Sequence, residues 1–234
     1  MTVLLVLFTL IGFLVADYLL HQRSQKALAL AALKSVEMLG PRPAFADGLA
    51  LAPNHLWMRR EKNNTITVGI DNFIAGLVGV VERIQVPEEG AIVGGKPSIT
   101  IHDKKKTLRL TVPIEGQVLS VNHESLQLPA LVKNDPYTTG WLFNVVPSGD
   151  ARSLRSFMQG DAALNWLKEQ NKLVKEFLAA GGSHLHFATM HDGGVPVDGV
   201  LKAFDQDVWT EFEKQFATLP AEFEPTEIGE YDNA

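Results

Sequence analysis

The chain has 234 residues, a formal net charge of −6 and no cysteine. This length suits one good-sized domain with attachments, or two small domains. The mild acidity argues against a nucleic-acid partner, because a phosphate-binding face needs a basic stripe that the sequence does not show. Without cysteine, the protein has no disulfide framework, no thiolate zinc site and no iron–sulfur cluster held by its own thiolates.

An apolar stretch, MTVLLVLFTLIGFLVADYLL, covers residues 1–20, and Asp17 is its single charge. A helix of this length spans about 30 Å, the thickness of the bilayer core. Arg23, Lys26 and Lys34 follow the stretch, whereas a cleaved signal peptide normally has basic residues before its apolar run. We therefore predict a retained single-pass transmembrane anchor in the inner (cytoplasmic) membrane, with the N-terminus outside and the bulk of the chain cytoplasmic.

Changes in composition divide the rest of the chain into five segments. Residues 21–39 are rich in Ala, Leu, Lys and Gln, which predicts a juxtamembrane helix. Glycines and prolines in residues 40–54 predict a linker. Residues 55–148 contain short β-branched runs and turns, which are typical of a β domain. Residues 149–219 predict a helical C-terminal extension, and residues 220–234 an acidic tail.

Short runs that are rich in β-branched residues and mostly alternate between apolar and polar predict most of the strands of the β domain. The runs are LWMRRE, TITVGI, SITIHD, TLRLTVP and GQVLSVN. Between the second and third runs, DNFIAGLVGVVERI begins with Asp71, a residue type that favours helix N-caps, and predicts a short helix leading into a strand. Helices and strands do not alternate along the chain, which argues against a doubly wound parallel sheet.

Two long segments of the β domain carry a spaced set of distinctive residues. The first, HLWMRREKNNTITVGIDNFIAGLVGVVERIQVPEEGAIVGGK, opens with a histidine and a tryptophan and contains a VGI strand. The second is VPIEGQVLSVNHESLQLPALVKNDPYTTGWLFNVVPS. Its spaced residues are Asn122, Leu126, Pro129, Leu131, Val132, Asp135, Pro136, Tyr137, Gly140, Trp141 and Leu142. Over roughly ninety residues, this pattern resembles the glycine cleavage H protein family.

The resemblance implies a mainly β core, a barrel-sandwich hybrid of two small antiparallel sheets related to lipoyl and biotinyl domains, with flanking helices. In this family, one lysine at a hairpin tip carries lipoate and lies eight residues before the proline of a Pro-x-x-Gly turn. Counting back eight residues from Pro113 identifies Lys105 as that lysine. The Met-Lys-Met sequence of biotinyl domains does not occur in the chain, so the resemblance favours lipoate over biotin.

The residues that flank Lys105 depart from the family's Glu-Ser-Val-Lys-Ala pattern. His102 stands where the glutamate is usual, and Lys106 stands where the alanine is usual. Asp103 supplies acidity, but it would favour Lys104, which is out of register. Three adjacent ammonium groups also repel one another. We therefore interpret the lysines either as a lipoylation site at Lys105 or as a solvated turn able to bind an acidic partner surface.

The segment SHLHFATMHDGG is a weak candidate for a metal site, formed by His184, His186 and His191. Histidines two positions apart on a strand point the same way, so the first two could share a metal with the third. Their spacing matches no metal-site template. We interpret them as surface or capping histidines near a glycine-rich turn, with no metal bound.

No set of residues has the spacing of a catalytic site, so we expect that the protein is not an enzyme. The first hypothesis is a membrane-anchored accessory subunit without a cofactor. Its H-like domain would dock on integral subunits at the cytoplasmic face of a respiratory or photosynthetic membrane complex. The alternative is a membrane-tethered lipoyl carrier with lipoate on Lys105. The anchor, the altered flanks of the lysine and the C-terminal extension favour the first hypothesis, and the register of Lys105 favours the second.

Overall fold

The structure is a computed structural model that describes residues 48–149, 151–181 and 198–223. The predicted anchor over residues 1–20 and the predicted helix over residues 21–39 lie outside these described residues. Within the three described stretches, no helix combines the length and the apolarity needed to cross a bilayer.

Two antiparallel sheets form the centre of the described structure. Their strands are β1 (Leu49–Leu51), β2 (Leu56–Arg60), β3 (Ile66–Ile70), β4 (Arg83–Gln85), β5 (Ile92–Val93), β6 (Pro97–Asp103), β7 (Lys106–Thr111), β8 (Gly116–Val121), β9 (Phe143–Pro147) and β10 (Met158–Gln159). The larger sheet has seven strands in the order β10-β1-β2-β3-β9-β8-β5, and the smaller sheet has three in the order β4-β6-β7. The sheet-rich core that the alternating runs predict is therefore confirmed.

Helices and short turns flank the sheets. The helices are α1 (Asn72–Val78), α2 (His123–Gln127), α3 (Ala130–Asn134), α4 (Gly160–Gly181) and α5 (Gln206–Phe212). Single 3₁₀ turns occur at Ala151–Ser156, Val200–Ala203 and Ala221–Phe223, and a π-helical turn at Glu213–Ala217 follows α5. Helix α1 begins after Asp71 as predicted, and the Asp71 Oδ1 accepts a hydrogen bond from the Ile74 N–H at 3.0 Å.

Two predicted boundaries are wrong. Leu49–Leu51 lies within the predicted linker of residues 40–54, but it forms β1 between β2 and β10. Strand β10 lies within the predicted helical extension of residues 149–219 and pairs with β1. Every residue of β1 is buried, so its sequence, Leu-Ala-Leu, is apolar throughout and lacks the alternation that marks a half-buried strand.

A buried histidine joins the larger sheet to the helices. His55 is fully buried, and its Nδ1 donates to the Asp71 Oδ2 at 2.7 Å. Its ring stacks on Phe73 of α1 with the ring centroids 4.1 Å apart, and Trp166 of α4 lies 4.6 Å away. Trp57, two residues further on, is also fully buried. The histidine and tryptophan that open the resemblance therefore belong to the core.

The C-terminal helices pack into the same core. Phe212 of α5 and Phe216 of the π turn stack with their ring centroids 4.9 Å apart. Phe177 of α4 meets both rings edge-on, at 5.9 and 5.6 Å. Phe216 also lies 5.9 Å from Phe73 of α1. The described C-terminal residues are therefore fixed to the domain by aromatic contacts rather than attached as a loose appendage.

Candidate functional site

The hairpin between β6 and β7 places Lys105 at its tip. Asp103 pairs with Lys106 across the two strands, so Lys104 and Lys105 are the two residues of the turn. Lys104 has a positive φ of 56°, the sign that a two-residue hairpin turn of type II′ requires at its first position. Both turn lysines are exposed. The sequence forms this hairpin because alternate residues of β6 and β7 point into the core. The lysines follow the last core-facing residues of β6 and therefore lie at the exposed end of the hairpin.

The Lys105 ammonium makes no hydrogen bond or ion pair with the described part of the chain. The neighbouring Lys104 is held through its backbone, whose N–H donates to the Glu82 Oε2 at 3.0 Å. The Glu82 N–H in turn donates to the His102 carbonyl at 3.2 Å, beside the β4–β6 pairing. The backbone of the turn is therefore braced from the β4 side, while the Lys105 side chain extends from it without a partner among these residues.

Lys106 is engaged by the C-terminal segment. Its Nζ donates to the carbonyl oxygens of Lys202 and Phe204, at 2.6 and 3.2 Å. The same ammonium lies 5.3 Å from the centroid of the Trp209 ring, within the range of a cation–π contact. The three consecutive lysines are therefore not equivalent, because one of them is already bound.

A match to a protein family covers the hairpin and most of the sheets. The family model described as Glycine cleavage H-protein matches residues 49–170, which is more than half of the chain. The chain belongs to the glycine cleavage H-protein family. Residues 171–234, including those that bind Lys106, lie beyond the match. The turn lysine therefore comes from the family part of the chain, and its C-terminal neighbours do not.

Curated relatives agree with the family match. The glycine cleavage system H protein of Klebsiella pneumoniae subsp. pneumoniae is 35% identical over 105 residues, which are 44% of this chain and 81% of that protein. The mitochondrial glycine cleavage system H protein of Mesembryanthemum crystallinum is 32% identical over 125 residues, 53% of this chain and 76% of that protein. A crystal structure of the H protein of Mycobacterium marinum has 26% identity and a TM-score of 0.40, covering 46% of this chain and 94% of that one.

Asp103 does not contribute acidity at the tip of this H-protein hairpin. Its carboxylate is buried, with 4% exposure, and an oxygen lies 3.1 Å from the Lys202 Nζ. The Lys202 Nζ also donates to the Val80 carbonyl after α1. Since the carboxylate is directed at Lys202, it gives no support for Lys104 as the modified residue.

Two residues that carry the H-protein resemblance are bound within a turn rather than exposed at a site. The Asp135 Oδ2 accepts hydrogen bonds from the Thr138 hydroxyl and from the N–H and hydroxyl of Thr139, the last two at 3.1 and 2.9 Å. These bonds, chiefly that from Thr138, lower the pKa of Asp135. Tyr137 donates its hydroxyl to the Asn72 Oδ1 at 2.7 Å, and burial raises the pKa of Tyr137. The Asp-Pro-Tyr pattern of the family is therefore a structural turn in this chain.

The histidine candidates His184, His186 and His191 lie outside the described residues. Among the residues that the structure describes, no group of three or more His, Asp or Glu side chains is placed to hold a metal ion.

Sequence reasoning did not find the residues that bind Lys106. The Lys202 and Phe204 carbonyls are 96 and 98 residues further along the chain. Backbone carbonyls carry no mark in a sequence, so no local pattern could have identified them.

Proposed function

We propose that this protein is a lipoyl carrier of the glycine cleavage type, with lipoate joined by an amide bond to Lys105. The observation that carries the proposal is the position of Lys105: an exposed turn residue at the end of a family hairpin, eight residues before Pro113. The relatives are named as H proteins of glycine cleavage systems, and we extend that role to this chain. The two antiparallel sheets are consistent with the barrel-sandwich hybrid expected of the family.

The contacts of Lys106 and Asp103 answer the main objection to a carrier. In sequence, the turn has three adjacent ammonium groups where the family has one, which favoured an accessory subunit without cargo. In space, the Lys106 ammonium is bound by two carbonyls, and Asp103 is paired with Lys202. The tip therefore presents two lysines rather than three, and Lys105 is the one in register. Together with the family match, this supports the carrier over the accessory subunit.

The residues around Lys105 fit an attached arm. Glu82 braces the backbone of the turn at Lys104, and the C-terminal segment bonds to the backbone of β7 at Thr107, so the base of the arm is fixed. The Lys105 side chain is exposed, which gives a modifying enzyme and later partner enzymes open access. When bound, lipoate would supply a disulfide that can be reduced and can hold a transferred group. The protein itself would be a carrier among enzymes rather than a catalyst.

We further propose that residues 1–20 tether this carrier to the cytoplasmic membrane. The support is the apolar run and the basic residues that follow it. A tethered carrier would serve partner enzymes at the membrane surface. Fractionation tests this: the full chain should remain in washed membranes and be released by detergent, whereas a variant lacking residues 2–20 should be soluble. Full-length protein in the soluble fraction would contradict the tether and leave the carrier proposal intact.

The mass of the purified protein tests the carrier proposal. Full-length protein from its native host should carry an increment of about 190 Da, as expected for one lipoyl amide. Lys105→Arg should lose the increment, and the matched control Lys104→Arg should keep it. Another lipoylated protein from the same cells serves as the positive control. The proposal fails if the wild-type chain has no increment, or if Lys105→Arg retains it.

A further inference from the structure

The C-terminal segment of residues 199–217, called the clasp below, lies along the free edge of β7. Strand β7 is the last strand of the smaller sheet, so its outward N–H groups have no partner among the described strands. The Thr107 N–H donates to the Gln206 Oε1 and the Arg109 N–H donates to the Glu213 Oε2, each at 2.8 Å. Gln206 also donates to the Thr107 carbonyl at 3.3 Å. The clasp thus takes the place of a neighbouring strand.

The same alignment brings the clasp to Lys106. Where the β7 edge reaches the turn, the clasp presents two free carbonyls and the face of Trp209 to the ammonium. Trp209 is itself fixed, because its Nε1–H donates to the Leu201 carbonyl at 2.7 Å and its side chain is fully buried. The two carbonyls belong to the backbone of a segment that aromatic packing anchors, so this arrangement cannot rearrange as easily as a surface ion pair.

Attachment of an acyl group requires a free amine. The neutral Nζ attacks the carbonyl carbon of an activated acyl donor, an acyl thioester or acyl adenylate. The new C–N bond forms, the C–S or C–O bond to the donor breaks, the leaving group departs as a thiolate or as the nucleotide anion, and one amine proton passes to the solvent. Lys106 would first have to give up both carbonyl contacts and move away from Trp209, whereas Lys105 has no such contacts with the described residues.

We infer that the clasp determines which lysine is modified, by withholding Lys106 so that acylation is directed to Lys105. This inference rests on the proposed function, since it specifies the residue choice at the same site. Lys106 stands where the family has an alanine. This chain therefore has a second amine next to the proposed modified residue, and that amine could compete for the acyl group. The clasp lies beyond residues 49–170 and is therefore an addition to the family domain that can serve this purpose.

Chemical acetylation tests the clasp without any lipoylation machinery. The folded full-length chain, in a detergent without amines, is treated with a limiting amount of an N-hydroxysuccinimide acetate ester. Fragmentation mass spectrometry then measures the acetylated fraction of each lysine. Lys106 should react ~10-fold more slowly than Lys105, the factor expected for breaking a charge-assisted hydrogen bond. The same labelling in denaturant should equalise the two lysines, which provides an internal reference that needs no variant.

A loosened clasp should reduce this difference. In the variant Gln206→Ala/Glu213→Ala, the two side chains that bind the β7 edge are truncated. The Lys105-to-Lys106 reactivity ratio should fall towards one without reaching it, because the aromatic packing and Trp209 still hold part of the clasp. The control Asp207→Ala/Glu211→Ala changes two exposed acids on the same helix and should retain the wild-type ratio. Equal reactivity of the two lysines in the folded wild-type chain would overturn the inference. So would a wild-type ratio that persists in the loosened variant.

Enzymatic lipoylation provides the second measurement. Coexpressed with a lipoate-attaching enzyme, the wild-type chain should be modified at Lys105 alone, and the loosened variant at both Lys105 and Lys106. Modification of the loosened variant at Lys105 alone would overturn the inference while supporting the proposed function. If no variant is modified, the proposed function fails, and the acetylation ratios still decide whether the clasp protects Lys106.

Discussion

The part of the chain that matches the family and the clasp are stabilised in different ways. In residues 49–170, alternating apolar residues pair across two sheets and fill the core between them. The clasp consists of short helical pieces: one 3₁₀ turn, the seven-residue helix α5 and a π turn. It is held by aromatic packing and by side chains that bond to the backbone of β7. The family domain contains the lysine turn, and the clasp provides the groups that bind Lys106 and the edge of β7.

This difference shows how a carrier domain can gain specificity without changing its fold. The two edges of the smaller sheet have different contacts. On the β4 side, Glu82 bonds to the backbone of the turn, and on the β7 side the clasp covers the strand. An edge strand is prone to unwanted pairing, so covering it also protects the domain from association. One added segment therefore serves the stability of the sheet and the chemistry of the turn.

The largest expected effect comes from Trp209, the centre of the clasp. Trp209→Ala removes a fully buried ring and should lower the free energy of unfolding by about 3–5 kcal/mol. If the clasp belongs to the core, urea unfolding of the full chain will remain a single transition when followed by circular dichroism and by fluorescence. Two separate transitions would show that the clasp unfolds independently. Trp209→Phe keeps most of the packing and should cost less.

Two glycines of the family part compare its core with the helix that contacts the clasp. A Cβ at Gly69 in β3 would lie 2.5 Å from ring atoms of Trp57, so Gly69→Ala should destabilise the core by about 1–3 kcal/mol. A Cβ at Gly76 in α1 would meet no atom within 4 Å, although the Gly76 carbonyl accepts from Gly199 of the clasp. Gly76→Ala should therefore stabilise the helix by up to ~1 kcal/mol. Thermal unfolding measures both, and a lower stability of Gly76→Ala would mean that this side of α1 has no room for a methyl group.

Much of the core could be predicted because its residues alternate. Strands β2, β3, β6, β7 and β8 coincide with the alternating runs, and α1 begins after its predicted cap. Strands β1, β5 and β10 have two or three residues each, too few for a period of two to be visible. The choice of Lys105 followed from its spacing to Pro113 in the family pattern. Alternation alone locates a hairpin but does not indicate which of its lysines is modified.

The clasp could not be predicted beyond a helical tendency. Its bonds to the hairpin join residues 96 to 104 positions apart in the chain. They involve common side chains such as Gln206 and Glu213, whose types occur on most solvated helices. Within the predicted helical extension of residues 149–219, the clasp is divided into a 3₁₀ turn, α5 and a π turn that follow the surface of the domain. Local propensity carries no information about that surface.

A smaller effect is expected at the Asp135 turn of the family domain. The pKa of Asp135 is lowered, chiefly by the hydrogen bond from the Thr138 hydroxyl. Its carboxylate therefore stabilises the fold at pH values above the unfolded-state pKa of about 3.9. This stabilisation is lost as the pH falls through the lower folded-state pKa. Asp135→Asn should cost about 0.5–1 kcal/mol at neutral pH, a figure reduced for solvent screening.

Urea unfolding at several pH values checks this expectation. The difference between wild type and Asp135→Asn should shrink as the pH is lowered from 6 to about 3, because the wild-type carboxyl becomes protonated. Thr138→Val removes the largest cause of the shift and should reproduce part of the effect. A difference that grows towards acid pH would contradict the assignment, since it would require a carboxyl whose pKa is raised.

An equally small effect is expected at the lysine turn itself, where Lys104 has a φ of 56°. A side chain in this left-handed region costs about 1–2 kcal/mol, and glycine avoids that cost while losing more freedom on folding. Lys104→Gly should therefore stabilise the chain by about 0.5–1 kcal/mol, measured as a rise in Tm. Lys104→Ala keeps the Cβ and should bring no gain. If both variants gain stability equally, charge repulsion among the lysines, rather than backbone strain at Lys104, limits the stability of the turn. The hydrogen bond from the Lys104 N–H to Glu82 would then not be holding a strained backbone in place.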